Sequence, residues 1–234
     1  MAVNVVAIDG PAASGKSSAA RMLADAIPGA VYVNTGSMYR AAAWKALKHG
    51  IDPADPDPVR LNEMLDHTVM RFVSTASGLE LEVDGNCPGA ELRTPEISAG
   101  ASAIATVPAV REKLVEWQRQ MASGSLIVME GRDIGTVVFP DAKYKFFLTA
   151  SPEERARRRL VQDGGNPSPE EIARVAAEIA ARDKNDSTRA TSPLKQAEDA
   201  VFLDNSAMTL AETIAFMQEK IRRKVVLSYR VPYA

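Results

Sequence analysis

Val3-Asn4-Val5-Val6-Ala7-Ile8-Asp9-Gly10-Pro11-Ala12-Ala13-Ser14-Gly15-Lys16-Ser17 begins as a strand-like apolar run and ends in a complete G-x-x-x-x-G-K-[ST] motif, Gly10 to Ser17. A tract of helical character, Ser17 to Ile27, follows it. Strand, glycine loop and helix in that order are the context in which the motif binds phosphate. The glycines let the backbone curl into a concavity of N–H donors. The helix adds its unpaired first amides and the positive end of its dipole. A chance match in a chain this long occurs at about 1 in 100 on average residue usage. Gly10, Pro11, Ala12, Ala13, Ser14, Gly15, Lys16, Ser17 and Ser18 are therefore the candidate ATP-binding residues. In such a loop Lys16 reaches the β- and γ-phosphates, and a serine hydroxyl ligates magnesium.

Outward from this stretch, short apolar runs alternate with helical tracts. Ala30 to Val33, Leu126 to Met129, Tyr144 to Leu148 and Val201 to Leu203 join the first strand. Near-continuous apolar strands of this kind belong to parallel sheets covered on both faces. The expected fold class is α/β: a three-layer P-loop NTPase fold with a five-stranded parallel sheet, forming a single domain over 1–234. The helix Ser37 to Lys48 should stop at Gly50, with His49 as a surface cap. The proline-rich stretch Asp52 to Pro58 is a connector. After a short helix near Val59 to Leu65, Thr68 to Val73 and Leu79 to Val83 read as strands. Asp84-Gly85 is a hairpin-type turn leading to a further extended piece. Residues 66–95 are thus expected to be a small antiparallel β insertion. Glu96 to Met121 returns to helix with a break near Pro108, and Val110, Leu114, Trp117 and Met121 form one apolar stripe. Ser151-Pro152-Glu153-Glu154 and Ser168-Pro169-Glu170-Glu171 are twin helix-start signatures flanking the loop Asp163 to Pro167. Residues 151–168 are the expected lid. The apolar tail 225–234 has no expected place.

The 234 residues are 46% hydrophobic and 25% charged, ordinary for a soluble globular chain with a sizeable core. A net charge of −2 gives no global attraction for nucleic acid or an acidic membrane, so neither is an expected partner. No apolar run approaches bilayer length, and no leader pattern precedes the first strand. The single cysteine, Cys87, excludes an internal disulfide framework and fits a reducing cytoplasm. It is expected to be a small inert hydrophobe. Trp44 and Trp117 are expected to pack in the core or at an interface. With two histidines, His49 and His67, a dedicated zinc site is not expected. The expected state is a monomer.

Neither D-x-x-G nor N-K-x-D occurs, which excludes a regulatory GTPase; an ABC-type ATPase signature is also missing. A small-molecule kinase remains, and its anionic acceptor calls for arginines. Arg40 follows the second strand, Arg132 follows the third, and Arg182 and Arg189 precede the fifth. Arg182, Asp186 and Arg189, spaced by four and three, fall within about 60° of each other on one helix. The alternative reading of that trio is a solvated intrahelical cluster. Arg155, Arg157, Arg158 and Arg159 form a basic run; Arg158 or a neighbour is expected to reach the nucleotide, against the alternative of a surface helix pairing with Glu153 and Glu154.

Asn34-Thr35-Gly36-Ser37-Met38-Tyr39-Arg40, the run from Glu130-Gly131-Arg132-Asp133 to Ala142, and Ala181-Arg182-Asp183-Lys184-Asn185-Asp186-Ser187-Thr188-Arg189 resemble the bacterial cytidylate kinases, among the nucleoside monophosphate kinases. The resemblance runs from about Val3 to Lys224 and includes Arg71-Phe72-Val73-Ser74-Thr75 of the insertion. It implies ATP-dependent phosphorylation of CMP and dCMP by direct in-line transfer; the alternative is a P-loop kinase of another nucleotide or small acceptor. It further implies that Ser102, Arg111 and Asp133 recognise the cytosine ring and that Arg40, Arg132 and Arg189 hold the monophosphate. Arg182 and Asp186 would contact the ribose, with Thr35 and Tyr39 lining the pocket. Lys16, Arg132, Asp133 and Arg158 are the candidate catalytic residues. The chain departs from many relatives at Asn34 and Glu130, where they carry Asp, and at Ser17-Ser18, where they carry Gly-Thr. The magnesium ligand is accordingly Ser17 or Ser18.

Overall fold

The computed structural model describes residues 4–75, 78–122, 124 and 126–228. Val3, at the head of the expected first strand, and residues 229–234 of the tail lie outside them. Two compact units divide the chain: residues 1–33 with 124–234, and residues 34–123.

The first unit is built on a five-stranded sheet. Its strands are β1 (Val5–Asp9), β2 (Ala30–Asn34), β5 (Leu126–Gly131), β6 (Tyr144–Thr149) and β7 (Val201–Asp204), in the order β2-β5-β1-β6-β7. β1 pairs in parallel with β5 and β6, and β6 with β7. All five residues of β1 are buried, so both faces of the central strand are covered. That is why Val5 to Ile8 reads as an unbroken apolar run rather than an alternating one. Asp9 stands opposite Gly131 and Phe147, and the phosphate loop leaves the sheet from this central carboxyl end. Open α/β sheets place their ligands there. Helices α1 (Lys16–Asp25) and α8 (Leu210–Ser228) pack on the sheet through a cluster containing Ile8, Leu23, Val128, Leu148 and Met217.

Helices α6 (Pro152–Gln162) and α7 (Pro169–Thr188) begin where the twin signatures place them. Ser151 Oγ accepts from Glu154 N at 3.2 Å, and Ser168 with Glu171 completes a reciprocal capping box. Between them the exposed Gly164 takes φ 88°, a left-handed conformation open to glycine at little steric cost.

The second unit contains α2 (Thr35–Lys48), α3 (Pro58–Asp66), the antiparallel pair β3 (Met70–Thr75) and β4 (Gly78–Val83), α4 (Pro95–Ile104) and α5 (Pro108–Met121). Asp57 caps α3 and Thr94 caps α4, each followed by proline at the first helical position. The core joins Met38, Leu61, Ile104, Val110 and Leu114, with Trp44, Trp117 and Met121 partly buried against it. Asp84 (φ 51°) and Gly85 (φ 80°) do form a tight turn, but the chain beyond makes only an isolated bridge from Asn86 to Val83 and then a 3₁₀ turn, Gly89–Arg93. The extended piece expected there is thus a single bridge, because Pro88 has no N–H to carry a ladder onward. Lys45 ties this corner together, reaching Asp84 Oδ2 at 2.6 Å and His67 O at 3.0 Å. Cys87 is exposed, not packed as expected, and His49 is the C-cap of α2.

Leu23 is wholly buried beneath the sheet. Leu23→Ala should lower unfolding stability by about 2–5 kcal/mol, the range for buried leucines that leave a cavity. Chemical denaturation measures this, and a loss well under 1 kcal/mol would contradict the packing of α1 on the sheet.

Candidate active site

Three glycine and alanine conformations shape the loop after Asp9. Gly10 has φ 151°, and a Cβ there would stand 2.0 Å from the carbonyl oxygen of Leu148. Only glycine can thread the loop this close to β6. Ala13 takes φ 57°, unusual for a residue with a Cβ, and Gly15 takes φ 87° as the residue preceding α1. That helix has no side-chain cap and no acid in its first turn, whereas α2, α3, α4, α6 and α7 each have a capping side chain. Its first amides and dipole are left for an anion.

Lys16 is buried, with its ammonium donating to Pro11 O and lying 3.3 Å from Ser14 Oγ. Burial, and next the positive charge of Arg132, push its pKa down to about 7, against the pull of Glu130, Asp9 and Asp183. Asp9 closes the other side. Its carboxylate accepts from Ile134 N at 2.8 Å and Gly135 N at 2.7 Å. Burial raises its pKa to about 7; these two amides and Lys16 oppose the rise, and the Asp133 carboxylate adds to it. The two amides open a π-helical turn, Ile134–Val138, directly after buried Asp133. Gly135 packs tightly beneath it: a Cβ there would come within 3.1 Å of Lys145 Cδ and 3.3 Å of Asp9 Oδ2, so those side chains would have to give. Glu130, also buried, accepts from Tyr32 Oη at 2.9 Å.

Arg182, Asp186 and Arg189 do not all share one helix as expected: α7 ends at Thr188, and Arg189 is its C-cap with extended backbone, ψ 142°. Arg132, from the end of β5, donates Nε to Asp186 Oδ2 at 2.8 Å, and Arg189 Nη1 lies 4.0 Å from Asp186 Oδ1. Asp186 is the shared counter-ion of two arginines. Arg182 has its pKa lowered by burial and then by Arg132, a sign of crowded cations. Arg158 donates to Asn205 Oδ1 at 2.9 Å and Asn205 O at 2.8 Å, and its Nε reaches Glu154. Asn205 in turn donates Nδ2 to Ser14 O at 3.3 Å, which sets Arg158 against the back of the phosphate loop. Ser17 and Ser18 are both exposed in the first turn of α1.

The remaining expected residues sit on the second unit. Arg111 is buried, with its guanidinium 5.7 Å from the Tyr39 ring. Arg40 donates to Ser37 Oγ at 2.9 Å, Thr35 is buried at the start of α2, and Ser102 Oγ donates back to Ser98 O at 3.2 Å. Sequence reasoning did not single out Asp9, Asp183 or Asn205. Asp9 carried one signal, a carboxylate ending an otherwise apolar strand. Asn205 carried none.

The profile of the family described as cytidylate kinase matches residues 6–223. Among curated relatives, the chain is 46% identical over 221 residues to a cytidylate kinase of Mycobacterium leprae, covering 94% of this chain and 96% of that one. It is 46% identical over 217 residues to one of Pelotomaculum thermopropionicum, covering 92% and 95%, and 43% identical over 223 residues to one of Solibacter usitatus, covering 94% and 93%.

Gly10→Ala has no room for its methyl against a backbone carbonyl, so the loop must leave β6. Affinity for adenine nucleotides, measured by calorimetry, should fall more than about tenfold, while Gly29→Ala, at a glycine with open space around it, leaves it intact. Equal affinity in the Gly10 variant would refute this account of the loop.

Proposed function

The chain belongs to the cytidylate kinase family, and from that premise we propose that it transfers the γ-phosphoryl group of ATP directly, in line, to CMP and to dCMP. The observation that carries the reading is the shared field of Lys16 and Arg132. An arginine expected at the acceptor phosphate lies close enough for its charge to act on the lysine of the phosphate loop. In phosphoryl transfer the protein's work is positioning and charge neutralisation. The acceptor phosphate is already ionised at neutral pH and is itself the nucleophile, so no general base is required.

In this reading Gly10 to Ser18 hold the triphosphate. Arg40, Arg132 and Arg189 hold the acceptor phosphate, and Arg182 and Asp186 the ribose, with Thr35 and Tyr39 beside them. Ser102, Arg111 and Asp133 recognise cytosine. An ionised Asp133 accepts from the exocyclic amine, and Arg111 and Ser102 donate to N3 or O2. Uracil reverses that donor pattern and would leave buried polar groups unpaired. Magnesium fits the exposed hydroxyl of Ser17 or Ser18, since that ion takes only one or two protein oxygens and completes its shell with water and phosphate. When bound it supplies neutralisation of phosphate charge. The exposed Asp163–Asn166 loop hinges a lid over residues 151–168, whose base is fixed by Arg155 and Arg158. A monomer in a reducing cytoplasm, without nucleic-acid or membrane partners, accords with the exposed lone cysteine and the net charge of −2.

A coupled ADP-release assay across CMP, dCMP, UMP, AMP and GMP tests the activity. CMP and dCMP should be turned over with the highest kcat/KM, and Lys16→Ala should lower turnover at least about 10²-fold in a folded protein. Equal use of AMP or GMP would defeat the assignment; equal use of UMP would defeat the cytosine scheme alone.

A second expectation concerns protons. With its pKa lowered to about 7, free Lys16 is largely neutral at pH 8. The triphosphate restores its charge, so ATP binding at pH 8 should take up about one proton, and less as pH falls below 7. Calorimetry in buffers of different ionisation enthalpy reads this directly. Uptake that persists in Lys16→Met would assign the proton elsewhere.

A further inference from the structure

Ala12, the third residue of the phosphate loop, has both polar atoms of its backbone occupied from outside the loop. Its N–H donates to Asp183 Oδ1 at 2.9 Å, and its carbonyl accepts from Arg155 Nη1 at 2.9 Å. The same Nη1 donates to Asp183 Oδ2, and Arg155 Nε donates to Ala150 O at 2.9 Å. The Arg155 side chain is 6% exposed and that of Asp183 is 18% exposed, so the pair works largely out of water. Around it, Ala12 packs with Ala156 of α6 and Val175, Ala176 and Ile179 of α7. The loop is thus seated in the α6–α7 hairpin by an apolar patch and a charged clamp.

We propose that Arg155 and Asp183 are positioning residues for ATP: as one unit they hold the phosphate loop in its phosphate-receiving curl without touching the nucleotide. The Ala12 amide is already donated to Asp183, so at this residue the clamp takes the N–H that a phosphate would otherwise receive. The adjacent Ala13 is in a left-handed conformation that a chain with a Cβ holds only when its surroundings fix it. The clamp sits one residue before it. Truncating one member of a buried charged pair leaves the other uncompensated, so each member depends on its partner. Of the clamp residues, Asp183 shares α7 with Asp186, the counter-ion of Arg132, while Arg155 is on α6.

The inference rests on reading Gly10 to Ser17 as the ATP loop, and its primary test, ATP binding, needs no acceptor. Calorimetry with ATP alone compares the unmodified chain, Asp183→Asn, Arg155→Met and the double variant. Asp183→Asn keeps shape and one acceptor but turns an NH₂ toward Arg155. Each single variant should bind ATP at least tenfold more weakly, and the double variant no more weakly than the worse single one. At saturating ATP the KM for CMP should change less than twofold. A merely structural pair would lower the melting temperature and leave ATP affinity of the folded protein unchanged; that result overturns the proposal, as does additivity of the two losses. Should Arg155→Met fail to fold, Arg155→Lys, which keeps the charge and loses the three-way reach, takes its place with the same expected weakening. An unmodified chain that binds no ATP would instead refute the reading of the loop.

Discussion

A buried carboxylate at the end of the central strand holds the reacting end of the first unit together. Asp9 closes β1 and receives the two amides that open the turn after Asp133. One side chain thereby joins the start of the phosphate loop to the segment carrying Arg132 and Asp133. Burial without those amides would be costly, because an unpaired carboxylate in the interior protonates rather than remains charged. The amides also fix where Gly135 must be, and Gly135 in turn admits Lys145 beneath the turn. Lys145 reaches Asp199 at 2.8 Å and so carries the constraint on toward β7.

Around this anchor the first unit concentrates positive charge: Lys16, Arg132, Arg155, Arg158, Arg182 and Arg189. The acids among them are each shared, Asp186 between Arg132 and Arg189, and Asp183 between Arg155 and a backbone amide. Burial first, and the charge of Arg132 second, lower the pKa values of Lys16 and Arg182 there. In the proposed function, two polyanionic nucleotides bring negative charge to these groups. Complementarity of this kind favours binding of both substrates and penalises an uncharged impostor.

The strands were legible because each is a short apolar run, and two helix starts because Ser151 and Ser168 each stand before proline and two acids. The phosphate loop was legible because its chemistry is local in sequence. What escaped reading is what acts at a distance. Asp9 reaches a turn 125 residues on, Asp183 reaches back 171 residues to Ala12, and Asn205 reaches back 191 to Ser14. A single hydrogen bond over such separations leaves no periodicity in the chain. Arg155 illustrates the point. In sequence it is one of four arginines in a basic run, with exposed Arg157 as its near neighbour. Only the α6–α7 packing reveals that it is buried.

Ala13 has a consequence of its own. A glycine at φ 57° would adopt the same curl at no steric cost, but would also leave the empty loop free to wander through many others. Alanine there costs about 1 kcal/mol in the folded chain. In exchange it narrows the set of shapes the vacant loop samples. Any anion bound by the loop, as in the proposed function, would spend less of its binding energy on ordering the backbone around it. One methyl group thus places part of the ordering of the loop in folding rather than in binding.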